Sequence, residues 1–229
     1  MNSNIVIGIE GLVGAGKTTI CKALLDEIPN SIILHGGNLY RAIVYAISSN
    51  NFKTDGLKSN LKDIDIKEIM DILKVEIKLE DKETQMYVNG KCINEDTLQS
   101  KENSLAVSSV SSVANNSNLY LFGRKLIEKY KEEYNVIVSG RDLVNIYPDL
   151  DYHLFITASL EERIRRKCIQ YKGEISEEEV RNNIIKRDNL QEKTGYYKKY
   201  DFTKKIDVTE CNTVKEAVKK VLSNIELKK

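Results

Sequence analysis

Residues 5–19, Ile-Val-Ile-Gly-Ile-Glu-Gly-Leu-Val-Gly-Ala-Gly-Lys-Thr-Thr, leave this chain few ways to fold. The first five are mostly β-branched and read as a buried strand. Gly11, four further residues, Gly16, Lys17 and Thr18 then complete a P-loop pattern. Its glycines let the backbone curl so that successive N–H groups point inward and cradle a polyphosphate. A helix opening near Gly16 adds its N-terminal partial positive charge at the same place. Ile20, Ala23, Leu24 and Ile28 give that helix an apolar face, which separates the pattern from a glycine turn that merely ends a strand. The expected contacts to a nucleoside triphosphate are Gly11, Gly14, Ala15, Gly16, Lys17, Thr18 and Thr19. Lys17 would reach the β- and γ-phosphates, and the Thr18 hydroxyl would sit on Mg²⁺.

With 229 residues, one α/β domain carrying an insertion is the expectation, supported by 41% hydrophobic residues for the core and 30% charged residues to cover it. A net charge of +1 provides no global field for nucleic acid or membrane. Cys21, Cys92, Cys168 and Cys211 are scattered without a CxxC pair, so reduced thiols are expected rather than a zinc site. No apolar run approaches membrane-spanning length, and the N-terminus leaves no room for a signal peptide ahead of the first strand. A cytoplasmic monomer is expected, with small-molecule partners, no nucleic acid and no membrane.

Ser31–Leu34 suits a second strand, ending in His35-Gly36-Gly37, and Asn38 is placed to cap the helix that follows. Residues 50–64 read as a loop and Ile66–Leu73 as a helix. Over residues 75–93 the period changes to alternation, and Asn89-Gly90 marks a hairpin turn. This antiparallel patch is either a structural flap or a cover for a second substrate. Helices are expected over Ser100–Ala114 and Leu119–Tyr134, strands at 136–138, 152–157 and 206–208, and helices carrying Leu160, Ile164 and Cys168 in a region that Gly173 ends, over Ser176–Leu190 and over Val214–Ile225. Ser159 and Glu162 form a capping box for the first of the last three. The alternation argues for an α/β fold with a five-stranded parallel sheet flanked by helices and a small antiparallel β insertion.

Arg41, Arg141, Arg163, Arg165, Arg166 and Arg187 follow strands or lie on helices that can close over strand ends. Arginine's planar fork binds phosphate oxygens in pairs and stays charged. Phosphoryl transfer needs several such groups because its catalysis is largely positioning and charge neutralisation. A solvated surface charge is the competing reading for any one of them. Asp142 could orient Mg²⁺, the acceptor or its base, or else pair with Arg141 or cap the next segment. His35 and His153 read as core or crevice-edge residues. Tyr196–Tyr200 reads as a helix face that packs its tyrosines and leaves its lysines in water.

Gly11–Thr18, Gly37-Asn38-Leu39-Tyr40-Arg41, Ser139-Gly140-Arg141-Asp142 and Ala158-Ser159-Leu160-Glu161-Glu162-Arg163, with Ile185-Lys186-Arg187-Asp188 as a weaker fifth segment, resemble bacterial cytidylate kinases, P-loop nucleoside monophosphate kinases. The resemblance implies a P-loop kinase fold over residues 1–229, an acceptor-binding insertion at about 50–115 and a lid at about 158–190. It implies transfer of the ATP γ-phosphate to CMP or dCMP with Mg²⁺. Lys17, Arg141, Asp142 and Arg163 would be catalytic, and Arg163 and Arg166 would close over ATP. Arg41 and Arg141 would hold the acceptor phosphate, Ser111 and Asp142 would face the cytosine edge, and Arg187 would meet the sugar or phosphates. A carboxylate suits cytosine, whose exocyclic amine is a donor.

Several positions depart from the family pattern. Tyr120 stands where a second cytosine-contacting arginine is expected, Gly36 for a serine, Ser139 for an aspartate and Val13 for a serine within the P-loop. Gln191 replaces a sugar-binding acid and Thr194 a phosphate-binding arginine, with Lys193 able to restore only a point charge. These departures spare phosphoryl transfer and concentrate on acceptor recognition. They leave open a kinase of the same fold with another small acceptor, or a non-catalytic nucleotide-binding protein.

Overall fold

The computed structural model describes residues 4–49, 65–98, 100, 103 and 117–226. In chain order the elements are β1 (Val6–Gly11), α1 (Lys17–Leu24), β2 (Ser31–His35), α2 (Gly36–Ser49), α3 (Ile66–Leu73), β3 (Val75–Glu80), β4 (Glu83–Val88), β5 (Lys91–Ile93), α4 (Glu95–Leu98), α5 (Ser117–Lys131), β6 (Asn135–Ser139), α6 (Leu143–Ile146), β7 (Tyr152–Thr157), α7 (Leu160–Gln170), α8 (Glu177–Lys193), β8 (Lys204–Asp207) and α9 (Val214–Leu222). They fall into two compact units, Met1–Ile33 with Lys131–Lys229, and Leu34–Tyr130.

In the first unit β6, β1, β7 and β8 run side by side, all parallel. Every residue of β1 is buried, as a strand covered on both faces requires. Ile7 and Ile9 of β1, Ile137 of β6, Leu154 and Ile156 of β7 and Ile206 of β8 share one core with Leu24 and Ile28. Ala217, Val218 and Val221 of α9 close that core. Hydroxyl caps start three of the helices. The Glu162 N–H donates to Ser159 Oγ at 3.3 Å, as the capping box foretold, Glu179 donates to Ser176 at 3.2 Å and Glu216 to Thr213 at 3.2 Å. Each such cap is worth about 1 kcal/mol.

The second unit builds its own core from Leu39, Ile43 and Ile47 of α2, Ile66, Ile69 and Leu73 of α3, Val75, Met86, Val88 and Leu98. Its sheet is the antiparallel β3–β4–β5 meander. Both of its turns have two residues with positive φ, Asp81-Lys82 at 48° and 65° and Asn89-Gly90 at 51° and 75°. That geometry matches strand twist, which is why Asn-Gly was legible as a turn. At the start of this unit the His35 N–H donates to the buried Thr84 Oγ1 at 3.0 Å, joining the end of β2 to β4.

The sheet thus exceeds the expected five strands: eight are present, because the insertion contributes three of its own. α2 starts at Gly36, so Asn38 lies inside its first turn and does not cap it. Tyr196–Tyr200 is a turn followed by irregular chain instead of a helix face. Its tyrosines still pack: Tyr197 is buried edge-on to Phe155, and Tyr200 stacks on Phe202. The loop at 50–64 lies outside the described residues, as does the helix expected over 100–114 apart from Ser100 and Asn103. All four cysteines are free thiols. Among the described residues no helix is long and apolar enough to cross a membrane.

Candidate active site

The P-loop follows from a close approach. A Cβ on Gly11 would stand 2.3 Å from the Ile156 carbonyl oxygen, so only glycine lets β1 end against β7 here. Gly16, at φ 89°, turns the chain into α1, whose first turn has no acidic residue and whose N-cap makes no side-chain bond. Helix-terminal N–H groups without a side-chain cap suit a phosphate. Thr18 is half-buried and Thr19 exposed at this end of α1.

Lys17, Arg141 and Arg187 share one electrostatic neighbourhood. Burial, then Arg141, pull the Lys17 ammonium from 10.5 down to about 8, with Arg187 adding to the effect. Burial, then Arg187, lower Arg141 in turn, and it remains charged. A polyanion bound among three cations so arranged would offset their mutual repulsion.

A buried carboxylate opposes two of them. Glu10, the penultimate residue of β1, is 2% exposed. Its Oε1 accepts the Leu143 N–H at 2.6 Å, which ties β1 to the segment that follows Gly140-Arg141-Asp142. The same oxygen lies 3.6 Å from His153 Nε2, and the charge of Glu10 supports protonation of both Lys17 and Arg141. Sequence reasoning passed over Glu10 as a strand residue. The available signal was a charge between apolar neighbours at a strand's carboxyl end, a place where burial forces a purpose on it.

The remaining predicted residues are distributed as follows. Asp142 takes the N-cap position of α6 in a left-handed conformation, φ 56°, with no side-chain cap bond, and its Oδ1 accepts from Asn145 Nδ2 at 2.6 Å. Ser139 is buried at the end of β6, paired in register with Ile9. Arg163 and Arg166 of α7 direct guanidinium N–H groups at P-loop carbonyls, Arg163 Nη1 at Val13 O (3.1 Å) and Arg166 Nη1 at Ala15 O (3.2 Å). Arg187 is exposed on α8. Thr194 donates its hydroxyl to the Leu190 and Gln191 carbonyls, and Gln191 is buried. His153 is a core residue bonded through Nδ1 to Thr203 Oγ1 at 2.8 Å.

Arg41 belongs to the second unit, on α2, where its Nη1 donates to Leu98 O at 2.9 Å. Asn103 braces the same place, donating to the Leu98 and Arg41 carbonyls at 2.9 and 3.2 Å. Tyr120 is half-buried on α5 and Gly36 opens α2. In that unit His35 Nε2 meets Glu83 Oε2 at 2.9 Å. Ser111 lies outside the described residues.

A P-loop, a cation cluster beside it and a Gly-Arg-Asp segment anchored to the P-loop strand are the parts of a phosphotransferase. The family model described as cytidylate kinase matches residues 7–227. The chain belongs to the cytidylate kinase family. It is similar to the cytidylate kinase of Aquifex aeolicus (strain VF5), 29% identical over 228 residues that make up 96% of this chain and 93% of that one. It is also similar to the cytidylate kinase of Clostridioides difficile (strain 630), 30% identical over 230 residues, 98% and 99% of the two chains. The enzyme is therefore a nucleoside monophosphate kinase, and its family implies ATP as phosphoryl donor. Nothing in this membership depends on the departures from the family pattern, which all lie outside the Gly16-Lys17-Thr18 and Gly140-Arg141-Asp142 cores.

Proposed function

We propose that this kinase transfers the γ-phosphoryl group of ATP to CMP or dCMP, giving ADP and CDP or dCDP. The observation that carries the reading is the Lys17–Arg141–Arg187 cluster beside the P-loop, with buried Glu10 as a counter-charge to Lys17 and Arg141. In this reading the P-loop N–H groups and Lys17 bind the ATP phosphates. Arg141 and Arg41 grip the acceptor phosphate, Asp142 and Ser111 meet the cytosine edge, and Arg187 the sugar or phosphates. The bond between the γ-phosphorus and the β–γ bridging oxygen breaks as an acceptor phosphate oxygen bonds to that phosphorus. Positive charge fixed in advance stabilises the transferring group, so no strong base is needed.

Mg²⁺ fits this arrangement. A hard ion that keeps several waters needs only one or two protein oxygens beside substrate phosphates, and Thr18 offers a half-buried hydroxyl at the start of α1. When bound it would neutralise charge on the β- and γ-phosphates.

A second reading, another nucleotide as acceptor, is favoured by Thr194 and Gln191. The Thr194 hydroxyl is spent on the end of α8, so it does not stand in for a phosphate-binding arginine. Gln191 lacks the charge of an acid that would hold a sugar. ADP release measured over a panel of nucleoside monophosphates decides between them. Turnover of CMP and dCMP well above the others supports the first reading, and a preferred non-cytosine acceptor overturns it.

A further inference from the structure

Arg163 was expected to touch ATP, yet the residue is 6% exposed and its guanidinium is committed to protein. Its Nε donates to Ala158 O at 3.1 Å, just past β7. Its Nη1 donates to Val13 O, inside the P-loop, at 3.1 Å and to Asp188 Oδ2, on α8, at 2.5 Å. Asp188 is used twice, because its Oδ1 accepts the Tyr197 hydroxyl at 2.7 Å. Tyr197 is itself buried, with its ring edge-on to Phe155 at 5.6 Å between centroids. Phe155 pairs in register with Glu10 of β1. The Val13 N–H faces the same Tyr197 hydroxyl, and Arg141 lies near enough to act on it electrostatically. Val13 is thus gripped through its carbonyl by Arg163 and approached through its N–H by Tyr197, with Asp188 joining the two grips.

Arg166 repeats the device one turn along α7. Its Nη1 donates to Ala15 O at 3.2 Å, its Nη2 to Val208 O at 2.8 Å and Cys211 O at 3.3 Å, and its Nε to Glu162 at 2.7 Å. The two P-loop carbonyls so held, of Val13 and Ala15, flank Gly14. A Cβ on Gly14 would stand 3.4 Å from Arg163 Cβ, so α7 lies directly against the loop. A phosphate cradle works when its N–H groups all face inward, which requires its carbonyls to be satisfied elsewhere. Charge-assisted donors from a neighbouring helix do this more strongly than neutral ones.

We infer that Arg163 acts in this enzyme by holding the P-loop in its phosphate-binding shape, and that Asp188 and Tyr197 are positioning residues for ATP. Asp188 has a second consequence, since its fixed place on α8 sets that of Arg187, one residue earlier, in the cation cluster. The inference rests on ATP binding at the P-loop and is independent of which acceptor the enzyme prefers.

A double-mutant cycle in kcat/KM for ATP tests it, with Arg163→Ala, Asp188→Ala and the double variant. In a clamp, each partner is useless without the other, so the double variant should lose no more than the worse single one, about tenfold. If Arg163 instead binds phosphate on its own account, Asp188→Ala alone costs little because it frees the guanidinium, and Arg163→Ala carries the whole loss by itself. That result overturns the inference. Tyr197→Phe keeps the ring packing and removes only the hydroxyl. It should raise the KM for ATP several-fold at nearly constant acceptor KM. An unchanged ATP KM, or an equal rise in both, overturns the role of Tyr197. Should the alanine variants fail to fold, the cycle of Tyr197→Phe with Asp188→Asn asks the same question with smaller changes.

Discussion

Binding of ATP should consume a proton at Lys17, and the effect is large enough to measure directly. In the free enzyme burial and Arg141 hold this ammonium at about 8, some way below 10.5. Triphosphate beside it supplies the missing counter-charge and favours the protonated form. The sign follows: affinity is flat below pH 8 and falls as pH rises through it, because a proton must be regained on binding. If only the ammonium form binds well, the dissociation constant grows as 1 + 10^(pH − 8). Between pH 7.5 and 9.5 that is a weakening of about 25-fold, or about 1.9 kcal/mol.

Isothermal titration with a non-hydrolysable ATP analogue, in buffers of different ionisation enthalpy, reads both quantities. At pH 8 about half a proton should be taken up per nucleotide bound, since about half of the free Lys17 is neutral there. Lys17→Met should bind more weakly at all pH values, lose the slope, and retain its fold while losing turnover. Constant affinity of the natural enzyme from pH 7.5 to 9.5 would refute the reasoning. So would the same slope in Lys17→Met, since another group would then be titrating.

Arg141→Ala should chiefly weaken use of the acceptor, by about 2–5 kcal/mol in kcat/KM for one buried charge-assisted contact, with the KM for ATP little changed; a loss confined to ATP would contradict it. Glu10→Gln keeps an oxygen for the Leu143 N–H and removes the charge that supports Lys17, so the fall in nucleotide affinity should begin below pH 8 in that variant; an unmoved profile would show that Glu10 does not act on Lys17. Glu162 is held down at about 2, first by Arg165, so its stabilising contribution is complete above about pH 4.5 and is lost as pH falls towards 2. The stability gap between the natural enzyme and Glu162→Gln, followed by urea unfolding, should narrow over that interval. Leu24→Ala empties a fully buried site in the first unit's core and should cost about 2–5 kcal/mol in the same assay.

What the sequence made legible was local. A glycine pattern and a β-branched run specify the P-loop because both constraints act within a few residues. The Ser159–Glu162 cap and the Asn89-Gly90 turn are of the same kind. The strands of residues 75–93 were legible as an antiparallel insertion but stood outside the count of five, which came from the βα alternation alone. Asn38 misled because Gly36 and Gly37 can already adopt helical geometry, so the helix begins two residues before the residue best suited to cap it. Tyr196–Tyr200 showed its packing but not its backbone, since tyrosine buries its ring from turn and helix alike.

The site's second layer was illegible for a different reason. Arg163, Asp188 and Tyr197 are separated by 25 and 9 residues, and their union depends on where α7 and α8 place them. An arginine's sequence neighbourhood says that it is charged and not whether carbonyls or phosphates will consume its donors. In this enzyme the ledger of donors separates the basic residues into two groups. Arg163 and Arg166 bond protein carbonyls, so their charge shapes the loop. Arg141 and Arg187 lower the proton affinity of Lys17, and Arg187 that of Arg141, so this charge is placed for an anion. That division gives a kinase whose phosphate grip stands on a rigid base. It also explains how the pattern around Gln191 and Thr194 could change without loss of the P-loop: α8 holds the loop through Asp188, three residues before Gln191, and substitutions further along the helix leave that bond untouched.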